Sequence, residues 1–339
     1  MKQINLIVLI LVLTVDIQTR LLRGSYLQAQ INHFDNWIVE NQLQLNSNED
    51  YEYRLNVFIK NKEMIESHNR SNSDYTMAVN KFAAMTDQEF AKQYLMEPRL
   101  SGSVADIRKS MINAKEFKGK RSVNWFKEGK VNVSQDQANC GSCYSFASTA
   151  AMESYYAIHI DQGKLPKFSE QFMVDCGEST GLRLFGCKGG VIEDTMKFSE
   201  IYGAVLAEDY RPYTASVKQC VMPDEPFTKL KRYQKVFPTI ENLYETLQMN
   251  PVVVGVELTP SMRFYNSGVM RNKAPCGIFI NHAVLAVGYD LDAEIPYFLI
   301  KNSFGIVWGD DGFYKIEVGV AGTGGTCGIV SENSWAPSI

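Results

Sequence analysis

Residues 137–146, QANCGSCYSF, set two cysteines three apart just ahead of a stretch rich in Ala, Ser and Tyr. Three chemistries use such a pair: a dithiol redox couple, half of a zinc site, or one reactive thiol beside a structural one. Zinc calls for a second C-x-x-C or a close Cys/His pair, and the other cysteines stand singly at 176, 187, 220, 276 and 327. A thioredoxin-type pair belongs to a small βαβ unit, whereas here a long apolar segment follows within a chain of 339 residues. The third reading fits the local pattern better. SCYSFASTAAMESYYAIHI (142–160) lacks Pro and Gly and reads as a helix, with Ser142 suited to its N-cap or first turn. Cys143 then falls in the first turn, where unpaired N–H groups and the positive end of the dipole favour a thiolate.

A thiolate nucleophile needs a base, and the sequence holds only four histidines. His33 and His68 lie in a separate, cysteine-free segment, and His159 stands roughly 24 Å down the same helix at 1.5 Å per residue. That leaves His282, opening the strand-like run NHAVLAVGY. A base must also be oriented, and Asn302 in IKNSFGIVWGDDGFY could hold the imidazole without adding a competing charge. Gln137, six residues before Cys143, offers a side-chain N–H to an oxyanion alongside the backbone N–H of Cys143.

The elements that must position these residues follow from the punctuation of the chain. Residues 26 to about 117 contain no cysteine and read as mostly helical and charged. Residues 120–215 read as partly helical, and beyond 230 short Val- and Leu-rich runs such as VVVGVEL (252–258) and YFLIKNS (297–303) are bounded by Gly or Asp, as strands are. Helices first and strands later predict an α+β protein. The formal net charge of -4 gives no footprint for nucleic acid and no polybasic membrane patch. Leu6–Val15 after Met1-Lys2 is too short for a bilayer span and suits the apolar core of a secretory signal, placed at residues 1–20. No later stretch approaches the length of a membrane anchor. In an oxidising compartment six of the seven cysteines can pair, leaving one over.

Taken together, Q-x-x-C-G-S-C followed by an aromatic, NHAVLAVGY and IKNSFGIVWGDDGFY closely resemble the papain family of cysteine peptidases, in its cathepsin L-like branch, from about residue 120 to the end. The resemblance implies a papain-like two-domain fold over 120–339, with a helical left domain, a β-barrel-like right domain and the active-site cleft between them. It implies Cys143 as nucleophile, His282 as its partner, Asn302 as orienting residue and Gln137 in the oxyanion hole. It also implies the disulfides Cys140–Cys187, Cys176–Cys220 and Cys276–Cys327. The expected protein is a secretory-pathway endopeptidase, lysosomal, vacuolar or extracellular, and monomeric. It would act on proteins and peptides through a thioester, with no metal and no cofactor. The alternative is an inactive relative that kept the fold as a binding or inhibitory protein.

The segment 26–117 fits the same picture. Asp50, Arg54, Phe58, Asn61, Ile65 and Asn69 stripe one face of a helix and resemble the inhibitory propeptide signature of such zymogens, with Asp50 where Glu is usual. AVNKFAAMT matches a second propeptide motif at Asn80 and Phe82. By that likeness the propeptide runs backward through the cleft, and the mature enzyme starts near Lys118 to Ser122.

Several positions depart from the family's pattern. Tyr144 and Phe304 each stand where a Trp is usual, Ala138 where Gly is common, and Ala78 and Ala84 where the propeptide usually has Gly and Asp. Without that Asp, acid-triggered release is expected to be weaker, and Ala84→Asp to sharpen it. The substrate cleft is expected to use Gly189, Gly190, Val191, Ile192, Gly255, Asn281 and Ala283. Glu332, at the base of the S2 pocket, would admit Arg as well as apolar side chains. Asn132 and Asn69 each sit in a glycosylation sequon.

Overall fold

The computed structural model describes residues 24–71, 74–97, 118–271, 276–319 and 324–338, with the backbone of 99–100. The expected signal segment lies outside the described residues. The chain divides into two compact units, one of Met1–Ser67 with Lys81–Thr86 and the other of His68–Asn80 with Asp87–Ile339.

In the first unit, helix α1 (24–41) meets α2 (Asn48–Arg70) through aromatic rings: Phe58 lies 5.3 Å from Phe34 and 5.7 Å from Trp37. Ser47 Oγ accepts the Asp50 N–H at 3.2 Å, and Glu49 and Asp50 suit the first turn of α2. Of the expected stripe, Phe58, Asn61 and Ile65 are buried. Asn61 Nδ2 donates to the Ala83 and Met85 carbonyls at 2.8 and 3.0 Å, and Arg54 Nη1 to the Ala84 carbonyl at 3.0 Å. Asp50 pairs with Arg54 at 3.6 Å. The stripe thus supplies side-chain donors to the backbone carbonyls of a short turn.

The second unit joins helices to a sheet. The sheet path runs β1 (Tyr75–Met77), β6 (Tyr265–Met270), β10 (Phe313–Glu317), β9 (Tyr297–Lys301), β8 (His282–Asp290), β5 (Val252–Val256), β11 (Ser334–Ser338), β4 (Arg232–Val236), with β3 (Ser122–Asn124) also on β8. Among these strands the path is open rather than closed, and only β6–β10 is parallel. A second sheet pairs β2 (Arg99–Leu100) with β7 (Phe279–Ile280). β5 and nearly all of β8 are buried, which explains their continuous apolar runs.

The helical half holds α4 (Cys143–Tyr155), α5 (Glu170–Cys176) and α6 (Ile192–Ile201), preceded in the chain by α3 (Asp87–Tyr94). A further helix, α7 (Ile240–Leu247), packs beside β8. The long helix expected over 142–160 is α4 continued by a π turn, Tyr156–Ile160. α4 is buried along its whole length and packs against β8. The disulfides are Cys140–Cys187, Cys176–Cys220 and Cys276–Cys327. Cys143 keeps its thiol outside them.

Candidate active site

Cys143 opens α4, as the sequence predicts, although Ser142 does not cap the helix with its side chain. Ser142 Oγ instead shares a 2.7 Å hydrogen bond with the Tyr213 hydroxyl, which donates to the Gln137 carbonyl at 2.7 Å. The Cys143 sulfur accepts the Ala283 backbone N–H at 3.4 Å, so the thiol lies against the first peptide of β8, beside His282. β8 and β9 bring Asn302 to the same place. Asn302 Oδ1 accepts the Ser303 N–H at 2.9 Å and lies 2.8 Å from His282 Nε2. Because Oδ1 is an acceptor, Nε2 must carry the proton, and the lone pair falls on Nδ1. Nδ1 has no hydrogen-bond partner among the described residues and is the nitrogen left for the thiol.

Elimination of the other histidines also holds in space. His68 Nε2 meets the Tyr75 carbonyl at 3.1 Å, His159 Nε2 meets Asn250 at 3.2 Å, and His33 is exposed. His282 is fully buried, and that burial pushes its pKa down from 6.5 to about 4, with the Asn302 hydrogen bond pulling part of the way back. Phe304 stands over the imidazole at 5.2 Å, fully buried, and meets Trp308 edge-on at 5.4 Å. An aromatic ring thus covers the imidazole although Phe stands where Trp is usual.

Gln137 is buried, and its Nε2 donates to the Cys140 carbonyl at 2.9 Å and to the Tyr94 carbonyl at 3.0 Å. A carbonyl of the segment expected to be removed thus sits on the donor expected to stabilise an oxyanion. Its Oε1 accepts from Ser303 Oγ, which fixes the amide's orientation. Tyr94 and Phe90 also stand edge-on to Phe304, at 5.8 and 5.9 Å. Ala138 explains why Gly is common beside the Gln: its φ is +47°, in the left-handed region. Tyr144 is buried, donates to the Gly186 carbonyl at 2.9 Å and packs beneath Gly190, where an added Cβ would lie 2.8 Å from its ring. Burial raises the phenol's pKa well above its ordinary value.

Of the expected cleft residues, Gly255 pairs with Ala283 across β5 and β8. A Cβ on Gly255 would collide with Glu332 Oε1 and approach Ile280 to 2.7 Å, so the Glu332 carboxylate lies directly on Gly255. Glu332 is half-buried rather than turned out. Val191 caps α6 and Ile192 begins it. Gly189 has φ +108°, and an added Cβ would lie 3.0 Å from Met96 Cγ. Met96 N–H donates to the Asn281 carbonyl at 2.8 Å, while the Asn281 side chain binds the Leu258 backbone. Asn80 Nδ2 donates to the Arg263 carbonyl at 2.7 Å, and Phe82 is buried. Ser303, Tyr213, Ile280 and Tyr94 escaped the sequence reading. Only Ser303, next to Asn302, carried a positional signal.

Both sequon amides are engaged in the fold. Asn132 Nδ2 donates to Glu153 at 2.9 Å and to the Pro166 carbonyl at 2.8 Å, and Asn69 exchanges two hydrogen bonds with the Met77 backbone. Among the described residues no cluster of acidic, His or Cys side chains could hold a metal, and no helix is long and apolar enough to cross a membrane.

A thiol at a helix start, an imidazole held in one tautomer and an amide donor covered by the Tyr94 carbonyl are the parts a cysteine protease needs, with the amide already occupied. The papain family cysteine protease domain matches residues 120–336, and the cathepsin propeptide inhibitor domain matches 34–90. Cysteine proteinase 3 of Solanum lycopersicum is 31% identical over 313 residues, covering 89% of this chain and 83% of its own. Pro-cathepsin H of Bos taurus is 32% identical over 295 residues, covering 85% of each. The solved structure of a recombinant stem bromelain precursor superposes with a TM-score of 0.78 at 30% identity, covering 92% of this chain and 99% of that one. The chain belongs to the papain family of cysteine proteases and carries the family's propeptide.

Proposed function

We propose that this zymogen matures into an endopeptidase of the secretory pathway, lysosomal, vacuolar or extracellular, that cleaves proteins through a thioester on Cys143. In this reading, residues 1–20 are removed as a signal and residues up to about 117 as an inhibitor. A chain starting near 118–122 retains β3 on the sheet. The observation that carries the chemistry is the His282–Asn302 pair, 2.8 Å apart, beside a thiol bonded to the Ala283 N–H at 3.4 Å.

Once water and substrate replace the propeptide, the Cys143 proton passes to His282 Nδ1 and the thiolate attacks the scissile carbonyl. The oxyanion takes hydrogen bonds from Gln137 Nε2–H, freed of the Tyr94 carbonyl, and from the Cys143 backbone N–H. The imidazolium then protonates the leaving amine, a thioester forms, and water delivered by the same imidazole releases the acid and restores the thiol. Asn302 keeps the ring in the tautomer each transfer needs.

Specificity rests on Gly255 and Glu332. A residue larger than Gly at 255 would displace the carboxylate, so Gly255 leaves S2 wide and Glu332 gives it negative charge. Apolar P2 residues and Arg are both accepted in this reading. An opposite charge about 4 Å away is worth up to about 4 kcal/mol near a protein surface, before desolvation. The test is kcat/KM of the matured protein on peptides differing only at P2, Leu against Arg, with and without Glu332→Ala. Turnover of both peptides, with Arg alone lost in the variant, supports the assignment; turnover of Leu alone from the start removes Glu332 from S2.

A further inference from the structure

Tyr213 lies in the irregular stretch between the 3₁₀ turn Ala207–Asp209 and β4. Its neighbourhood is clipped to α5 by one buried side chain. Thr214 N–H donates to Gln171 Oε1 at 2.8 Å, and Gln171 Nε2 donates to the Ser216 carbonyl at 2.9 Å. The Tyr213 ring meets Phe146 of α4 edge-on at 4.9 Å. Backbone and ring together fix where the hydroxyl goes.

That hydroxyl stands between the two ends of one loop. It donates to the Gln137 carbonyl at 2.7 Å and shares a 2.7 Å hydrogen bond with Ser142 Oγ. A carbonyl can only accept, so the phenol's single proton is spent on Gln137 and Ser142 donates to the phenol oxygen. Burial raises the pKa of Tyr213 well above its ordinary value, which keeps that proton in place. Between Gln137 and Ser142, both fully buried, the chain turns through Ala138 at φ +47° and through Cys140. The Cys140 carbonyl accepts from Gln137 Nε2 at 2.9 Å and from the Ser142 N–H at 2.7 Å. The loop is thus closed on itself twice, once through Cys140 and once through Tyr213.

The two ends matter chemically. Gln137 carries the amide expected at the oxyanion, and Ser142 supplies the carbonyl half of the peptide whose N–H belongs to Cys143. The bond to Tyr213 also draws the Ser142 hydroxyl aside, so that no side chain caps the start of α4. Donors aimed at a developing charge act fully only when held in place beforehand, and small displacements are costly.

We propose that Tyr213 is a positioning residue for the oxyanion hole: by bonding Gln137 and Ser142 at once, its hydroxyl fixes the spacing between the Gln137 amide and the Cys143 N–H. The proposal rests on the reading in which those two donors hold the oxyanion. Tyr213 itself touches neither substrate nor thiol.

The test compares two reactions of the same thiol. Peptide hydrolysis builds an oxyanion, whereas alkylation by iodoacetamide forms an S–C bond at a saturated carbon, expels iodide and builds none. Each variant is made as the full chain and processed by an added aspartic protease that is then blocked. Tyr213→Phe keeps the ring against Phe146 and is expected to lower kcat about tenfold with KM nearly unchanged, as loss of one positioning hydrogen bond implies. The alkylation rate and its pH profile should not move. Ser142→Ala should act in the same direction and more weakly, and it decides alone if Tyr213→Phe fails to fold. In a Gln137→Ala background, Tyr213→Phe should cost no more than about threefold further, because one donor it positions is already gone. Tyr210→Phe, which removes a nearby hydroxyl 3.2 Å from Asp175, should leave kcat unchanged. An unchanged kcat in Tyr213→Phe, an equal fall in hydrolysis and alkylation, an equal loss in Tyr210→Phe, or effects that multiply in the double variant would overturn the proposal. An unchanged kcat in Gln137→Ala alone would instead remove the oxyanion reading, and the positioning role with it.

Discussion

The two sides of the active site are built differently. The Cys143 side is local: a helix start, a disulfide at Cys140 three residues before it and buried α4 behind it lie within a few residues of one another. The His282 side is assembled from distant parts. His282 opens β8, Asn302 follows β9, Phe304 covers the ring, and Gln137 crosses back to be fixed by Ser303. In the proposed reading the difference teaches that the nucleophile is prepared by the backbone around it, whereas the base depends on strand pairing, and its proton and burial are therefore tunable.

The sharpest break of that contrast is Cys143→Ala, expected to lower kcat of the processed enzyme by about 10⁴-fold or more, with unchanged near-UV circular dichroism. His282→Ala should match it, because groups acting as one unit fail together. Gln137→Ala should cost about 10²- to 10³-fold in kcat with little change in KM, the signature of an oxyanion donor. Asn302→Ala should cost roughly 10²-fold and change the pH profile as well, since only the imidazole's orientation and tautomer are lost; an unchanged profile would separate Asn302 from His282.

Acid should act on the tunable side. His282 is held neutral by burial, with its pKa lowered from 6.5 to about 4 in this latent form. A hydrated imidazole binds a proton more readily, so the form with the cleft open takes up protons that the closed form refuses. Closure is therefore unaffected above about pH 6.5 and is weakened progressively as pH falls from 6.5 toward 4. The check is the rate at which a trace of active enzyme processes the Cys143→Ala chain, normalised to peptide hydrolysis at each pH. The rate should rise through that window, and a flat normalised profile would assign acid sensitivity elsewhere. The smallest effect concerns the loop before the nucleophile. Ala138→Gly should stabilise the protein by about 1 kcal/mol by relieving the positive φ, readable as a raised Tm.

This contrast also explains what was legible in the sequence. The position of Cys143 at a helix start was legible because that is a local pattern, and the neighbourhood of His282 and Asn302 only through the motifs that carry them. The propeptide stripe was legible from helical spacing, and in the fold its Asn61 satisfies turn carbonyls. What the sequence could not show is the company Phe304 keeps: Trp308, Phe90 and Tyr94 stand edge-on to the ring that covers His282. Ser142 occupies the capping position, but its hydroxyl is drawn away by Tyr213, 71 residues distant in sequence. Such long-range pairings leave no periodic signal, and neither did Arg263 meeting Asp87 or Tyr94 reaching Gln137.

The central claim is that removing the propeptide turns the enclosed Cys143 thiol into the acyl-accepting nucleophile. The most direct measurement is mass spectrometry of acid-quenched protein after mixing with a slowly deacylating peptide ester, before and after processing. The account predicts an acyl adduct on Cys143 in the processed protein and none in the full chain. Equal acylation before processing, or hydrolysis by the processed protein that survives Cys143→Ala, would contradict it.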